Sequence, residues 1–371
     1  MASATQRKYK RELLAETLTR IGGFAGLSIG ETLASPDDWR YRNKVQIPFG
    51  NKGNRPVAGF YAPGSHEIVE FDDCPIQPEV SLQILRSVKR LAAQFHWEIY
   101  DEDRHLGWLR HLLVRTNRAN EALVALVTAT PAFPAQNDVV KALRSDCPSM
   151  IGFHQNIQPA RSHVILGREW ISLWGADEIV EPVLGLKMGY APGAFFQVNT
   201  GAAERLYEKV LSEADLQPGH GVVDFYCGVG AMALLAARKV DYVIGIDEVP
   251  SAIQGAEMNA RRNGIKNVRF ETLKVESVFL PAHRSLFERF DSNNLVVILD
   301  PPRSGCDPLV IQGLLALKPS RIIYVSCHPA TLARDLKMLS SSYQIKSVTP
   351  VDLFPQTSHI ETVVRLDIHA L

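Results

Sequence analysis

Cysteine is scarce and unpatterned in this 371-residue chain: Cys74, Cys147, Cys227, Cys306 and Cys327 are odd in number and include no CxxC pair. That excludes a disulfide framework and the usual zinc spacings, so each cysteine is read alone. A surplus of charge of one sign is missing as well, with 40 Lys plus Arg against 40 Asp plus Glu, and 22 basic against 21 acidic residues up to Tyr190. A protein held on nucleic acid by general electrostatics leaves a basic footprint that neither half shows. No apolar run approaches the roughly 20 residues a bilayer requires. The start, Met1 to Lys8, lacks the apolar stretch of a signal peptide. There is neither an internal repeat nor a low-complexity tract. What is present, 46% apolar and 22% charged residues, is an ordinary globular composition, long enough for two domains and a sizeable core, with a cytoplasmic location expected.

Two local basic groupings stand out: Arg7, Lys8, Lys10 and Arg11 at the amino terminus, and Arg104, His105, Arg110, His111, Arg115 and Arg118. Each reads equally as a solvated face, the second balanced by Asp101, Glu102 and Asp103. From Gln6 to Arg20 the residues Leu13, Leu14, Thr17, Leu18 and Ile21 share a helical face, which Gly22-Gly23 ends. Between Tyr41 and about Tyr190, strands are predicted at Lys44 to Phe49, Trp108 to Arg115, Ala122 to Thr128 and Met150 to Ile157, with a helix at Pro78 to Phe95. This half, 1–190, reads as a smaller α+β domain with antiparallel pairing.

After Pro192 the order becomes strand, helix, strand, helix. Apolar strand cores fall at Val222-Val223, Tyr242 to Ile246, Leu295 to Leu299 and Arg321 to Val325, with helices at Ala231 to Arg238 and Ser251 to Asn263. Such alternation predicts a Rossmann-like, doubly wound α/β domain over 191–371. Tyr343 to Asp352 and Ile360 to Asp367 read as a final hairpin on its sheet.

Asp224-Phe225-Tyr226-Cys227-Gly228-Val229-Gly230-Ala231-Met232-Ala233 follows a short apolar strand and opens a helix, the context a glycine-rich cofactor turn requires. Gly228 and Gly230 let the backbone approach a ligand, and Asp247 ends the next strand, where a carboxylate accepts ribose hydroxyls. The motif alone is shared by users of nicotinamide, flavin and S-adenosylmethionine. Asp224 and a later Asp-Pro-Pro turn favour the last, because a sulfonium and an ammonium attract carboxylates that a pyrophosphate would repel.

That turn, Asp300-Pro301-Pro302-Arg303-Ser304-Gly305, sits at the carboxyl edge where such sheets bind ligands, and its prolines leave Asp300 facing the pocket. Amine methylators usually place an aromatic residue after the two prolines, where this chain has Arg303. One strand later, Cys327 lies between a strand and a helix that Pro329 opens, where the helix dipole and free amides favour a thiolate. Taken alone, a strand-end cysteine reads as packed core and Glu361 as a solvated strand carboxylate. Together with the Asp-Pro-Pro turn they read as nucleophile and base, with His359 a second proton carrier or a packed neighbour. Cys227 and Cys306 are assigned to packing.

At Phe195-Phe196-Gln197-Val198-Asn199, Asp224 to Gly230, Asp300 to Gly305, Ser326 to Asp335 and Phe354 to Glu361 the chain resembles the RNA (uracil-5-)-methyltransferases, nearest their rRNA branch. The resemblance implies Cys327 as the nucleophile that adds to carbon 6 of uracil and Glu361 as the acceptor of the carbon 5 proton. It implies Gln197, Tyr226, Asp247 and Asp300 as ligands of S-adenosylmethionine, and structured RNA, rRNA before transfer RNA, as partner. His328 stands where the family commonly has Asn, while Ala231 and Lys274 replace polar cofactor contacts. Many relatives carry a small β-barrel RNA-binding domain and three close cysteines before the point where this chain starts. Cys74 resembles the fourth ligand of their iron-sulfur cluster, which one cysteine does not complete. The competing expectations are methylation of an exocyclic amine or a protein glutamine, or an RNA-binding remnant without catalysis.

Overall fold

A computed structural model describes residues 2–53, 55–162 and 164–369. The chain forms two units, one of residues 1–38, 182–188 and 195–371 and the other of residues 39–181 and 189–194. The expected division was a single one, at residue 190. The difference at the front has a plain cause: helix α1 (Ser3–Thr17) and the π-turn after it (Leu18–Gly22) insert Leu14 and Leu18 into the same core as Val223, Phe225 and Ile322. The π-turn also rotates Ile21 off the predicted face, leaving it 37% exposed. Gly23, at φ +79°, closes the helix in the left-handed region that glycine adopts without cost.

The unit centred on residues 39–181 is built on β1 (Lys44–Lys52), β2 (Arg55–Tyr61), β3 (Ile68–Glu70), α2 (Glu79–Gln94), β4 (Leu109–Thr116), β5 (Ala122–Thr128), α3 (Gln136–Asp146), β6 (Met150–Ile157) and β7 (Glu169–Gly175). Its sheet runs β3-β2-β1-β4-β5-β6-β7. Pairing is antiparallel as expected except at β5 and β6, which run parallel because α3 crosses between them. A core around Trp97, Trp108, Phe133 and Phe153, whose rings meet edge to face, fills the helical side of this sheet.

The expected basic grouping from Arg104 to Arg118 is not a surface patch. β4 is buried along its whole length, and three of the six residues are interior. Arg110 pairs with Glu102 and donates to the carbonyls of Gln158 and Ala160. Arg115 donates to the carbonyls of Pro192 and Ala194, and burial drives His111 down to about 4, so it is neutral at pH 7. Arg104 and Arg118 remain exposed at separate points along the chain. In the amino-terminal grouping, Lys10 is interior too.

A two-stranded sheet, β8 (Ile179–Val183) with β9 (Leu186–Tyr190), precedes α4 (Thr200–Ala214). The second unit then winds through β10 (Gly221–Phe225), α5 (Ala231–Ala237), β11 (Tyr242–Asp247), α6 (Pro250–Arg262), β12 (Val268–Thr272), β13 (Leu295–Leu299), α7 (Pro308–Leu317), β14 (Arg321–Ser326), α8 (Pro329–Leu339), β15 (Tyr343–Val351) and β16 (Glu361–Ile368). Sheet order is β12-β11-β10-β13-β14-β16-β15. The first five strands are parallel, and β16 inserts antiparallel between β14 and β15. Alternate residues such as Val223, Phe225, Val297 and Tyr324 face the core with α1, α7 and α8, while α4, α5 and α6 pack on the same sheet from the side that cluster leaves free. This is the Rossmann-like, doubly wound α/β class, and it puts the ends of β10, β11, β13 and β14 on one edge. Among the described residues no helix is long and apolar enough to cross a membrane.

Because Leu14 is fully buried in the core of the sheet unit, Leu14→Ala is expected to destabilise that unit by about 2–5 kcal/mol. Exposed Glu16→Ala is expected to change stability by less than about 0.5 kcal/mol. Thermal or urea unfolding followed by circular dichroism checks the pair.

Candidate active site

At the carboxyl edge of that sheet a cleft is walled by Phe195, Gln197, Asp224, Tyr226, Gly228 and Asp300, among others. Strand β10 ends in the turn that shapes it. Gly228 has φ +54° and only open space where a Cβ would stand, whereas a Cβ on Gly230 (φ +87°) would lie 2.9 Å from the Phe270 ring and 3.0 Å from Ala256. The first glycine leaves the cleft open and the second lets the sheet and α6 approach. The Gly228 amide donates to Asp247 Oδ2 at 2.9 Å, and the Val249 amide to Asp247 Oδ1 at 2.9 Å, which fixes the carboxylate at the end of β11.

The charge in this cleft is one-sided. Burial, then Asp300, push the Asp224 carboxyl well above its ordinary range, and its Oδ2 has no hydrogen-bond partner. Burial raises Asp300 to about 7. A buried acceptor without a donor and two carboxyls held toward neutrality suit a ligand that brings positive charge and N–H groups, as a sulfonium amino acid does. Gln197 and Tyr226 line the same wall; burial raises the Tyr226 hydroxyl, which bonds Cys306. Ala231 also lines the cleft and offers no polar atom of its side chain.

Next along the edge stand the two chemical residues. β14 pairs with β16 so that Ser326 faces Thr362, and the residues one step outward are Cys327 and Glu361, near enough for the Glu361 charge to act on the thiol. Cys327 is half-buried, and Glu361 is 4% exposed. The expectation of a solvated strand carboxylate for Glu361 taken alone is therefore corrected: its Oε2 is buried without a partner, and burial, then Asp300, push the acid well above the usual carboxylate range. The expected thiolate is corrected too. Burial, then Glu361 and Asp300, push the Cys327 thiol up to about 11, so it rests protonated despite the helix that follows.

One cation opposes this crowd. Arg303 favours ionisation of both Cys327 and Glu361, and its Nη2 lies 3.1 Å from His359 Nδ1. Arg303, which in the sequence argues against amine methylation, owes this role to its place directly after the two prolines. His328 is the N-cap of α8, its Nδ1 accepting from the Thr331 amide at 3.4 Å. Asn is a favoured N-cap, so the imidazole does here what the family's Asn side chain can do. Cys227 lines the cleft with its thiol pushed well up by burial, and Cys306 is buried, raised to about 12 by burial and bonded to the Tyr226 hydroxyl. Among the described residues no group of three or more His, Cys, Asp and Glu could hold a metal, and Cys74 is a free, half-buried thiol.

The charge balance makes a kinetic expectation. In the free protein, Cys327 alkylation by iodoacetamide should still be rising at pH 9.5. Glu361→Gln should shift that profile to lower pH by removing the neighbouring acid. Peptide mass spectrometry at Cys327 reads both profiles.

The family model described as tRNA (Uracil-5-)-methyltransferase matches residues 173–369. An uncharacterized RNA methyltransferase of Halalkalibacterium halodurans is 37% identical over 370 residues, covering 99% of this chain and 80% of its own length. One of Clostridium tetani is 38% identical over 368 residues, covering 99% and 79%. The crystal structure of Pyrococcus abyssi tRNA (uracil-54, C5)-methyltransferase in complex with S-adenosyl-L-homocysteine matches with a TM-score of 0.78 and 28% identity, over 97% of this chain and 83% of that one. The fold, the acidic cleft and these matches agree: the chain belongs to the RNA (uracil-5-)-methyltransferase family and is an S-adenosylmethionine-dependent RNA methyltransferase.

Proposed function

We propose that this enzyme methylates carbon 5 of a uridine in structured RNA through a covalent adduct with Cys327. The observation that carries the reading is the pairing of a half-buried thiol with a buried, partnerless carboxylate at one sheet edge, beside a cleft suited to a cationic ligand. Gln197, Tyr226, Gly228, Asp247 and Asp300 would hold S-adenosylmethionine, which supplies an electrophilic methyl group when bound. Carbon 5 of uracil is too weak a nucleophile to accept it unaided. Cys327 gives its proton to solvent, and addition of Sγ to carbon 6 pushes an electron pair onto the carbon 4 oxygen, with Arg303 favouring the anionic thiol. Carbon 5 of the enolate would be the acceptor of that methyl group. Glu361, ionised by then, removes the carbon 5 proton, and the electron pair left behind re-forms the ring double bond as Sγ departs. A uridine in a duplex or loop must be flipped out to reach the thiol.

Ribosomal RNA is the substrate that the motif resemblance favours, in the cytoplasm; transfer RNA is the second reading, favoured by the family model and by the substrate named for the Pyrococcus abyssi enzyme. Recognition of the RNA by the unit of residues 39–181 would rest on local contacts, because the interior placement of Arg110 and Arg115 removes the patch that the sequence suggested. Intact Cys327 and Glu361 argue against a remnant that only binds RNA.

Labelled methyl transfer into unmodified rRNA and transfer-RNA transcripts, with nucleoside mass spectrometry, is expected to yield 5-methyluridine in one of them. Cys327→Ala is expected to abolish it, by about a thousandfold or more. A methylated amine, or an active Cys327→Ala, contradicts the mechanism. Since Asp300 is raised to about 7 in the free site and a cationic ligand binds its ionised form, cofactor affinity is expected to rise as pH climbs from 6 through 7 and to level off above. Calorimetric titration with S-adenosylmethionine checks the sign.

A further inference from the structure

The loop of residues 352–360 ends on Glu361, and it is held from the far end of the chain. Lys10 and Asp352 are 2% and 1% exposed and bond at 2.7 Å, and the same ammonium donates to the Phe354 carbonyl at 3.0 Å. One turn earlier on α1, Gln6 makes two hydrogen bonds to Gln356: its Nε2 donates to the side-chain Oε1 at 2.7 Å, and its Oε1 accepts from the amide at 3.1 Å. Gln356 sits at φ +64°, a left-handed conformation that a non-glycine residue keeps only when its surroundings hold it. The segment after α1 continues the grip. Gly30 and Leu33 bond to the backbone of Val348 and Pro350, and the Asp352 amide donates to Leu33 O.

The loop is then braced from the cofactor side. Asn199, two residues after Gln197, caps α4 with its Oδ1 and donates its Nδ2 to Leu353 O at 3.0 Å. Beyond that brace the loop closes on itself through Thr357, whose hydroxyl donates to Phe354 O and accepts from the His359 amide.

A buried ion pair is seldom more stabilising than apolar packing of the same volume, because both ions lose their water. Its value here is direction: an ammonium donating to a carboxylate and a carbonyl admits one placement of the loop. Glu361 has no partner on Oε2 to hold its own side chain, so its position depends on the backbone that delivers it. We propose that Lys10, through Asp352 and Phe354, is a positioning residue for Glu361, with Gln6 in support, so that α1 is a strap setting the proton-removal step. The proposal rests on Glu361 being the carbon 5 proton acceptor.

Such a strap affects release from the covalent adduct and leaves thiol addition and methyl transfer largely alone. The full chain and an RNA transcript that it methylates are the reagents. The readouts are turnover and the fraction of RNA bound to protein after denaturing electrophoresis, for wild type, Glu361→Gln, Lys10→Met, Lys10→Arg and Gln6→Ala. Glu361→Gln is expected to accumulate methylated adduct. Lys10→Met is expected to lower turnover by about ten- to a hundredfold while adduct also accumulates, and Lys10→Arg to recover part of it. Gln6→Ala, which keeps the buried pair, decides the matter if Lys10→Met does not fold: adduct should rise above wild type. Folded variants with wild-type turnover, or with adduct formation reduced as much as turnover, overturn the proposal. No adduct with Glu361→Gln would overturn the reading of Glu361 itself, and the strap's role with it.

Discussion

The constraint on which the rest depends is the crowding of acids at one sheet edge. Burial pushes Asp224, Asp300, Glu361 and Cys327 toward their protonated forms; Asp300 adds to the effect on the other three, Glu361 to that on Cys327, and Arg303 opposes it at Cys327 and Glu361. In a dry site these groups cannot all ionise. Charge must arrive with the ligands. A sulfonium and an ammonium would meet the cleft acids, and bonding of Sγ to carbon 6 would turn the thiol into a neutral thioether beside which Glu361 can ionise. The free protein is thus an acid-loaded site at rest, and the same burial that keeps the thiol quiet makes the carboxylate a strong base once it forms.

The fold exists to produce that crowding. Four parallel strands end together, a glycine turn opens the first, prolines stiffen the turn after β13, and an imidazole caps the helix after β14. The antiparallel insertion of β16 against β14 then carries Glu361 to the cysteine across a single strand spacing. A parallel strand in that position would have entered the edge from the other end of the sheet. The closing hairpin is therefore a chemical element as well as an edge strand.

Much of this was legible in the sequence, because long apolar runs and periodic faces speak for themselves: β5 and β6 begin and end where the pattern placed them, and α8 opens at Pro329 as expected. Chemistry was legible where residue type and local context coincide, as at Asp224 to Gly230 and Asp300 to Gly305. What could not be read depends on distant partners. β5 is apolar on both faces and carries no sign of strand direction, so its parallel pairing with β6 was missed, and β12, short and only half-buried, left no pattern. Arg115 looks like surface charge until the carbonyls of Pro192 and Ala194 appear beside it. Lys10 likewise looks solvated until Asp352 meets it 342 residues later. The thiol rests protonated because burial, and then Glu361 and Asp300 brought in from distant parts of the chain, outweigh the local helix dipole.

The most direct test of the account uses RNA in which the reactive uridine carries fluorine at carbon 5. Glu361 can accept a proton from that carbon but cannot remove fluorine as a cation. The enzyme should stall after methyl transfer with Sγ still bonded to carbon 6. Tryptic mass spectrometry should then find the methylated fluorouridine on the peptide containing Cys327. Turnover of ordinary RNA without any such adduct, or an adduct on another residue, would contradict the account.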